Sequence, residues 1–366
     1  MGDKQEEILD LTEKLVGFKS TNDNLEEINK CLDFIENYFS QPEFEVTRHE
    51  KNDVPSLVVT FGQENPELML HGHIDVIEAS EEMFETSIED GKLYGRGTAD
   101  MKAGVAALMT AMKDLKKEKP SVGLMIVSDE ERGGFNGAGY LFEEIYSPEF
   151  AISAEPNNID GYLDIITDQK GILRIKISTR GLSAHGSRPW NGGNAIEKFM
   201  EKWSEIKGLF KDHEQGDNWT TTVNLGKIRA GDSTNKVPEK AEAWLDIRTA
   251  NDYPNEEVIN DLKDIEGLEI VSIKLDDPIL STDQNNKFVK SLKNSAEKFE
   301  EECQISRKEP GSDMRFLTEN GIPAVVFGPE GYNAHAPDEY ATIESLGDYY
   351  DILMDFISEN FLGDEE

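Results

Sequence analysis

The chain has 366 residues, of which 37% are hydrophobic and 30% charged, and its formal net charge is −37. This length is enough for two domains and a large core, and no apolar run approaches the roughly 20 residues that a membrane-spanning helix needs. Because phosphate backbones and anionic lipids repel a polyanion, the charge argues against nucleic acid and membrane partners.

The acidic residues are spread along the whole chain and are not gathered in one tail. One interpretation is a generally acidic, solvated surface. Another is adaptation to high salt, where screening removes the self-repulsion of the folded chain. The two cysteines, Cys31 and Cys303, do not suggest a disulfide framework, and the first residues lack the basic and apolar regions of a signal peptide. We therefore expect a cytoplasmic protein.

The first part of the chain alternates between helical and strand patterns. Apolar residues recur at three- and four-residue steps from Ile8 to Gly17 and from Leu25 to Phe39, which predicts two helices. The unbroken small apolar run from Ala103 to Leu115 predicts a buried helix. Four apolar runs predict strands: "SLVVTFG", "LMLHG", "VGLMIVSDEE" and "FAISAEP". This alternation predicts an α/β sheet with polar groups at its strand ends.

The pattern changes near Gly171, where alternating strands and amphipathic helices follow. The predicted strands are "ILRIKISTRG", "TTTVNLGKIRAG", "KAEAWLDIRTA" and "LEIVSIKL". The predicted helices are "NAIEKFMEKWSEIKGLF" and "NEEVINDLKDI". Two helices and four strands are what a small α+β domain needs. From about Leu280 the first pattern returns and continues to a final helix ending at Phe361. We predict one domain from residues 1–171 and 280–366, and a smaller inserted domain from residues 172–279.

Histidines and carboxylates follow several of the predicted strands. Such residues stand at His71 and His73 with Asp75, at Asp100, at Glu130 with Glu131, at Glu155 and at His335. Each alone is most often a structural histidine or a solvated acid, but together they lie where open α/β sheets build their sites. Two histidines and three carboxylates can hold two divalent metals that share one carboxylate, and zinc accepts both kinds of ligand.

The "GRGTAD" segment has a rival interpretation as a phosphate-binding loop. That interpretation is weak, because the segment lacks the third glycine of the dinucleotide pattern and no Gly-Lys-Ser/Thr occurs.

Six motifs together are similar to those of one known family: "HGHIDV", "LYGRGTADMKAG", "DEE", "SAEP", "GLSAH" and "AHAPDEY". They resemble the zinc amidohydrolase and metallopeptidase family of acetylornithine deacetylase, succinyl-diaminopimelate desuccinylase, aminoacylase and glutamate carboxypeptidase. The resemblance runs in motif order over nearly the whole chain. It implies an α/β fold: a phosphorylase/hydrolase-like zinc-peptidase catalytic domain with an inserted α+β (ferredoxin-like) lid domain. It also implies a homodimer formed through that lid domain.

The resemblance implies two zinc ions per subunit, for which cobalt or manganese would substitute. One zinc would be held by His73, Asp100 and Glu155, and the other by Asp100, Glu131 and His335. Asp100 would bridge them and be followed by a cis peptide bond, and His71 would not be a ligand. Asp75 would accept a hydrogen bond from the His73 ring. Glu130 would be the general base that takes a proton from the attacking water.

The lid residues are assigned by the same resemblance. His185, in "GLSAHGS", would donate to the oxyanion and reach the active site of the partner subunit; its bland alternative is an exposed loop histidine. Asn235, Arg248 and Arg315 would contact substrate, with Arg315, in "GSDMRF", clamping a carboxylate by paired hydrogen bonds. A surface salt bridge is the alternative for each arginine.

The sequence as a whole predicts dizinc-dependent hydrolysis of an amide bond in an N-acyl amino acid, of the acetylornithine deacetylase or succinyl-diaminopimelate desuccinylase type. One alternative is a dipeptidase or carboxypeptidase with the same site, which would act on short peptides. A remote alternative is a relative that binds ligand without catalysis, although the intact ligand set and Glu130 argue against it.

Overall fold

The computed structural model describes residues 2–156, 163–211, 219–299 and 303–362. The chain divides into two compact units. The first consists of Met1–Asp168, Ser281–Lys308 and Ser312–Glu366, and the second of Gln169–Leu280 with Glu309–Gly311. The main segment of the second unit runs from Gln169 to Leu280, where the sequence predicts residues 172–279, and the short Glu309–Gly311 segment is not part of the prediction.

Helices and strands alternate through the first part of the first unit. In chain order they are α1 (Asp3–Val16), α2 (Leu25–Tyr38), β1 (Glu45–Lys51), β2 (Val54–Thr60), β3 (Leu68–His73), β4 (Ser87–Glu89), β5 (Lys92–Tyr94), α3 (Ala103–Asp114), β6 (Val122–Val127), α4 (Ala138–Glu144), β7 (Phe150–Ser153) and β8 (Ile165–Gln169).

The second unit follows, and the chain then returns to the first. The elements of the second unit are β9 (Gly171–Arg180), β10 (Ala184–His185), α5 (Ala195–Leu209), β11 (Thr222–Ala230), β12 (Lys236–Val237), β13 (Lys240–Thr249), α6 (Asn255–Asp264) and β14 (Leu268–Asp277). The remaining elements are β15 (Leu280–Ser281), α7 (Lys287–Ala296), β16 (Ile305–Lys308), α8 (Arg315–Glu319), β17 (Ala324–Val326), β18 (Gly331–Tyr332), β19 (Tyr340–Thr342) and α9 (Ile343–Phe361).

A nine-stranded mixed sheet forms the centre of the first unit. Its order is β1-β2-β6-β3-β7-β17-β8-β15, with β16 paired to β8. Strand β3 runs parallel to β6 and β7, and β17 runs parallel to β7, whereas β2 and β8 run antiparallel to their neighbours β6 and β17. The carboxyl ends of β3, β6, β7 and β17 therefore share one edge, where an open α/β sheet places its site.

Helix α3 is the most deeply buried helix in the first unit. Every residue from Ala103 to Met112 is buried, and α1 and α9 pack against it. Its small side chains permit close approach to the sheet: a Cβ at Gly104 would lie 2.3 Å from the carbonyl oxygen of Ala154. The first turn of α3 is thereby held against the segment that follows β7. Cys31 and Cys303 are both buried thiols, and Sγ of Cys303 donates to the main-chain oxygen of Leu163 at 3.3 Å.

A second, small sheet joins two distant segments of the first unit. Its order is β18-β19-β5-β4, and Tyr340 in β19 is paired with Tyr94 in β5. This pairing brings the segment before α3 next to the segment before α9. The sequence prediction missed this sheet, because its strands are only two or three residues long and show no measurable alternation.

The second unit contains a four-stranded antiparallel sheet in the order β11-β13-β9-β14. The chain passes through it as strand, helix, two strands, helix and strand, which is the ferredoxin-like arrangement. Helices α5 and α6 pack on the sheet, and the shared core includes Ile175 and Leu245 from the sheet and Phe199 and Leu262 from the helices. The predicted α/β fold with a small α+β unit is confirmed. None of the helices in the described part of the chain is long and apolar enough to cross a membrane.

Candidate metal and catalytic site

The parallel strands of the main sheet deliver acidic and imidazole side chains to one edge. His73 is the last residue of β3, Glu130 and Glu131 follow β6 in a short 3₁₀ turn, and Glu155 comes two residues after β7. Asp100 stands just before α3, and the peptide bond between Asp100 and Met101 is cis. His335 lies between β18 and β19 with a φ of 70°. The sheet edge and the small sheet together place these groups side by side.

Asp100 lies between two histidines. Its Oδ1 is 3.0 Å from Nε2 of His73, and its Oδ2 is 3.5 Å from Nε2 of His335. The same His335 nitrogen is 2.9 Å from Oε1 of Glu131. One ligand atom each from Asp100, Glu131 and His335 lie within 4.8 Å of one another, which is the spacing of a metal-binding cluster. Each oxygen of Asp100 thus faces a different imidazole, as a bridging carboxylate requires.

The carboxylates and imidazoles of this cluster shift one another's pKa values. Burial alone would raise the pKa of Asp100, but the imidazoles of His335 and His73 hold it well below its usual range. The carboxylates of Asp100 and Glu131 in turn raise the pKa of His335 to about 10. Burial, followed by the charge of Asp100, raises the pKa of Glu155 to about 8.

Glu155 supplies the sharpest test of fit for a metal. Its side chain is 8% exposed, and its Oε1 has no hydrogen-bond partner among the described residues. A buried carboxylate oxygen without a partner is costly unless a cation meets it. Imidazole nitrogen and carboxylate oxygen are the ligands that zinc accepts. The residues at this edge therefore fit a pair of divalent metals that share Asp100.

Glu130 is next to Glu131 in the chain but does not belong to the cluster of Asp100, Glu131 and His335. Its Oε2 is 4.0 Å from Nε2 of His73, and its side chain is 17% exposed. Burial is the main cause that raises the pKa of Glu130 well above its usual value. A carboxyl group whose pKa is raised in this way holds a proton more readily than an exposed carboxyl group does, as a general base requires.

Asp75 holds the site in two ways. Nδ1 of His73 is 3.0 Å from the main-chain oxygen of Asp75 and 3.6 Å from its carboxylate, so the main-chain oxygen is the nearer acceptor. The carboxylate accepts hydrogen bonds from the main-chain N–H groups of Glu130, at 3.3 Å, and Glu131, at 3.0 Å. The sequence suggested only the contact with the His73 ring; the anchoring of the acidic pair depends on how the chain turns after β6.

Glu339 and Arg96 hold the backbone around Asp100 and His335. Oε1 of Glu339, whose side chain is buried, accepts the main-chain N–H groups of Gly97, Ala99 and Asp100 at 2.9, 3.1 and 3.1 Å. Its Oε2 pairs with Arg96, which also donates to the main-chain oxygen of His335 at 3.2 Å. Neither residue was predicted from the sequence, although each stands inside a motif that carries a candidate ligand.

Comparison with known proteins identifies the family. The sequence profile of "Peptidase family M20/M25/M40" matches residues 69–359. The chain belongs to this family. It is 30% identical over 372 residues to a succinyl-diaminopimelate desuccinylase of Nautilia profundicola, an alignment that covers 96% of this chain and 99% of the relative. The M20 family is a family of metallohydrolases, so the predicted enzyme class is confirmed.

Two solved structures illustrate the shared fold. Aminopeptidase PepT from Bacillus cereus superposes with a TM-score of 0.76 at 19% identity, covering 97% of this chain and 98% of PepT. The YXEP protein of Bacillus subtilis, described as a dinuclear metal-binding peptidase of the M20 family, gives a TM-score of 0.68 at 14% identity, covering 96% and 97%. At these identities the comparison establishes the M20 fold alone.

In this M20 protein the second unit brings two of the predicted lid residues together. His185 in β10 pairs with Lys236 in β12, and the main-chain oxygen of the adjacent Asn235 accepts the N–H of Gly186 at 2.7 Å. Nδ1 of His185 accepts the main-chain N–H of Ser187 at 3.1 Å. A neutral His185 therefore carries its proton on Nε2. Arg248 lies in β13, where its Nε donates to Asp246 at 2.9 Å.

Arg315 belongs to the first unit and is 5% exposed. Its Nη1 and Nη2 donate to the main-chain oxygens of Ser312, at 2.7 Å, and Gly133, at 2.6 Å. The guanidinium carbon lies 4.4 Å from the centre of the Phe316 ring. These contacts fix α8 against the turn that carries Glu130 and Glu131, and they involve both terminal nitrogens of the guanidinium.

Proposed function

We propose that this M20 protein hydrolyses the amide bond of an N-acyl amino acid with the help of two zinc ions, as in acetylornithine deacetylase and succinyl-diaminopimelate desuccinylase. The observation that carries the proposal is the position of Asp100 between His73 and His335, with Glu130 beside them. The 30% identity to a desuccinylase over nearly the full length of both chains supports this type of substrate.

Two sets of residues would hold the metals. His73, Asp100 and Glu155 would bind one ion, and Asp100, Glu131 and His335 the other, with cobalt or manganese as substitutes for zinc. When bound, the ions supply Lewis acidity that polarises an amide carbonyl and favours the attack of water. The orphaned Oε1 of Glu155 and the close spacing of Asp100, Glu131 and His335 support this assignment.

Glu130 would move the proton. Its main-chain N–H is held by Asp75, so its carboxylate is kept next to His73 and the bridge. From that position Glu130 would accept a proton from the attacking water and release it to the leaving nitrogen. Glu131 is assigned to the metal instead, because its Oε1 lies 2.9 Å from Nε2 of His335, which would bind the same ion.

His185 would stabilise the oxyanion of the tetrahedral intermediate. Because Ser187 donates to its Nδ1, a neutral His185 presents a fixed Nε2–H donor, and its side chain is exposed. Hydrogen-bond donors held in advance at a developing oxyanion are among the largest contributions to acyl-transfer catalysis. Asn235 and Arg248 would contact substrate from the same unit, and Arg315 would do so only if its guanidinium exchanged a main-chain partner for a substrate carboxylate.

The second unit would also form a homodimer. Three large apolar side chains of this unit are strongly exposed: Leu182 at 62%, Trp190 at 76% and Met200 at 64%. Apolar groups of this size are typical of protein interfaces. Light scattering of the purified protein tests this proposal, which fails if the mass is that of one 41.1 kDa chain at micromolar concentration.

A hydrolysis screen tests the proposed activity. The protein would be incubated with zinc, cobalt or manganese and with four substrate groups: acetylornithine, succinyl-diaminopimelate, other acyl amino acids and dipeptides. We expect release of an acyl group from one of the first three groups. Faster hydrolysis of dipeptides would favour the dipeptidase alternative with the same site, and no hydrolysis of any amide by metal-loaded protein would refute the proposal.

A further inference from the structure

His71 has no task in the proposed reaction, yet it is completely buried in the middle of the first unit. Its Nδ1 is 3.1 Å from Oγ of Ser153, and its Nε2 is 3.3 Å from Oδ2 of Asp313. A serine, a histidine and an aspartate in this order resemble a nucleophilic triad. All three side chains are 0% exposed, however, so no substrate reaches Ser153. The three residues therefore have a structural role and do not attack a substrate.

Asp313 lies between His71 and the turn that follows Glu130 and Glu131. It is a buried carboxylate, and Nη1 of Arg315 lies 3.7 Å from its Oδ1. The backbone of Gly134 packs directly on it: a Cβ at Gly134 would lie 1.9 Å from the same oxygen, and the φ of Gly134 is 65°. Only glycine fits this position without displacing Asp313.

Arg315 contacts the same turn. It binds the main-chain oxygen of Gly133, whose own N–H donates to the oxygen of Glu130 at 2.7 Å. The N–H of Gly134 donates to the oxygen of Asp129 at 2.8 Å. The turn at residues 129–134 is therefore closed by its own hydrogen bonds and held by Asp313 and Arg315.

We propose that His71, Asp313 and Arg315 form a positioning chain that holds the 129–134 turn, and with it the carboxylates of Glu130 and Glu131, in place. His71 and Arg315 flank the buried carboxylate of Asp313, and removing either leaves that group poorly compensated. The chain links β3, which ends in His73, to the turn that bears the other carboxylates. This inference rests on the proposed hydrolysis for its catalytic consequence, but the positioning itself is measurable without it.

Arg315→Lys and His71→Gln test the chain by kinetics. Lysine keeps the positive charge but lacks the planar fork that donates to two fixed carbonyls at once. Since a misplacement of about 1 Å can cost about 10²-fold in rate, we expect kcat, measured with zinc saturating, to fall by about 10- to 100-fold with KM unchanged. A substrate clamp at Arg315 would instead raise KM.

Two matched controls lie outside the site. Arg48 pairs with Asp33 and Glu36 near the surface, and Nε2 of His49 is 3.1 Å from the hydroxyl of Tyr146. Arg48→Lys and His49→Gln make the same chemical changes as the test variants, and we expect both to keep wild-type kcat and KM.

Amide hydrogen exchange of the metal-free protein separates positioning from catalysis. We expect peptides spanning residues 129–137 to exchange faster in Arg315→Lys and His71→Gln than in the wild type and the controls. This result would stand even if none of the substrates were hydrolysed. Unchanged exchange in these peptides would refute the positioning chain. If KM for Arg315→Lys also rises, Arg315 binds substrate instead. If a variant fails to fold, Ser153→Ala, which removes only the hydroxyl beside His71, carries the same comparison.

Discussion

Glu339→Gln is the most informative single change outside the proposed ligands. Glutamine keeps an oxygen that can accept the N–H groups of Gly97, Ala99 and Asp100, but it removes the charge that faces Arg96. Arg96 is 3% exposed and Glu339 is 1% exposed, so the guanidinium would remain buried without its anion. Breaking a buried ion pair in this way costs about 3–5 kcal/mol. That is roughly a 10²- to 10⁴-fold change in the folding equilibrium.

The two units allow this loss to be localised. All four tryptophans lie in the second unit, at Trp190, Trp203, Trp219 and Trp244. Tryptophan fluorescence therefore reports unfolding of the second unit, while circular dichroism reports both. In urea titrations of metal-free protein we expect Glu339→Gln to shift the circular dichroism transition of the first unit to lower urea.

The neighbouring Asp338 provides the control. It is exposed and accepts a hydrogen bond from Asn333 at 2.9 Å, so Asp338→Asn should change the free energy of unfolding by no more than about 0.5 kcal/mol. Adding Arg96→Met to Glu339→Gln removes the uncompensated charge and should recover part of the loss. If Glu339→Gln unfolds at the same urea concentration as the wild type, the buried ion pair of Arg96 and Glu339 does not stabilise the first unit.

Three further predictions address catalysis, assembly and charge. Glu130→Gln should retain metal and fold but lose at least about 10²–10⁴-fold in kcat, whereas Glu131→Gln should lose metal; exchanged phenotypes in kinetics and metal analysis would reverse the two roles. If His185 acts across a dimer, mixing His185→Ala with Glu130→Gln subunits should restore activity in the heterodimers, and no recovery after verified subunit exchange would place His185 in its own chain's site. Because the screening length falls from roughly 30 Å at 0.01 M to roughly 3 Å at 1 M salt, the melting temperature of this chain of net charge −37 should rise with potassium chloride when zinc is saturating. A flat or falling melting temperature would contradict adaptation to high salt.

The alternation of strands and helices and the candidate ligands were readable from the sequence, because both depend on local patterns. His73 and Glu155 each follow a short apolar run, and such a run ends at a predictable edge of an α/β sheet. The inserted unit was also visible, since its alternating strands differ from the continuous apolar strands around it.

The supporting contacts were not readable, because they depend on distant pairings. Asp338 and Glu339 are adjacent carboxylates, and only the β5–β19 pairing decides that Glu339 points at the amides before Asp100. Strand β1 was missed because it is a half-exposed edge strand with many charged residues. His71 could not be distinguished from a metal ligand by spacing alone, and its contact with Asp313 joins residues more than 200 positions apart.

Anomalous X-ray diffraction at the zinc edge, on crystals of the zinc-loaded protein, tests the central claim most directly. We expect two anomalous peaks of similar height on either side of Asp100, one touching His73 and Glu155 and the other touching Glu131 and His335. In the same experiment Asp100→Ala should lose both peaks or retain them at low occupancy, since the bridge serves both ions. A single peak, peaks that do not touch Asp100, or two fully occupied peaks in Asp100→Ala would contradict a dizinc site built around this residue.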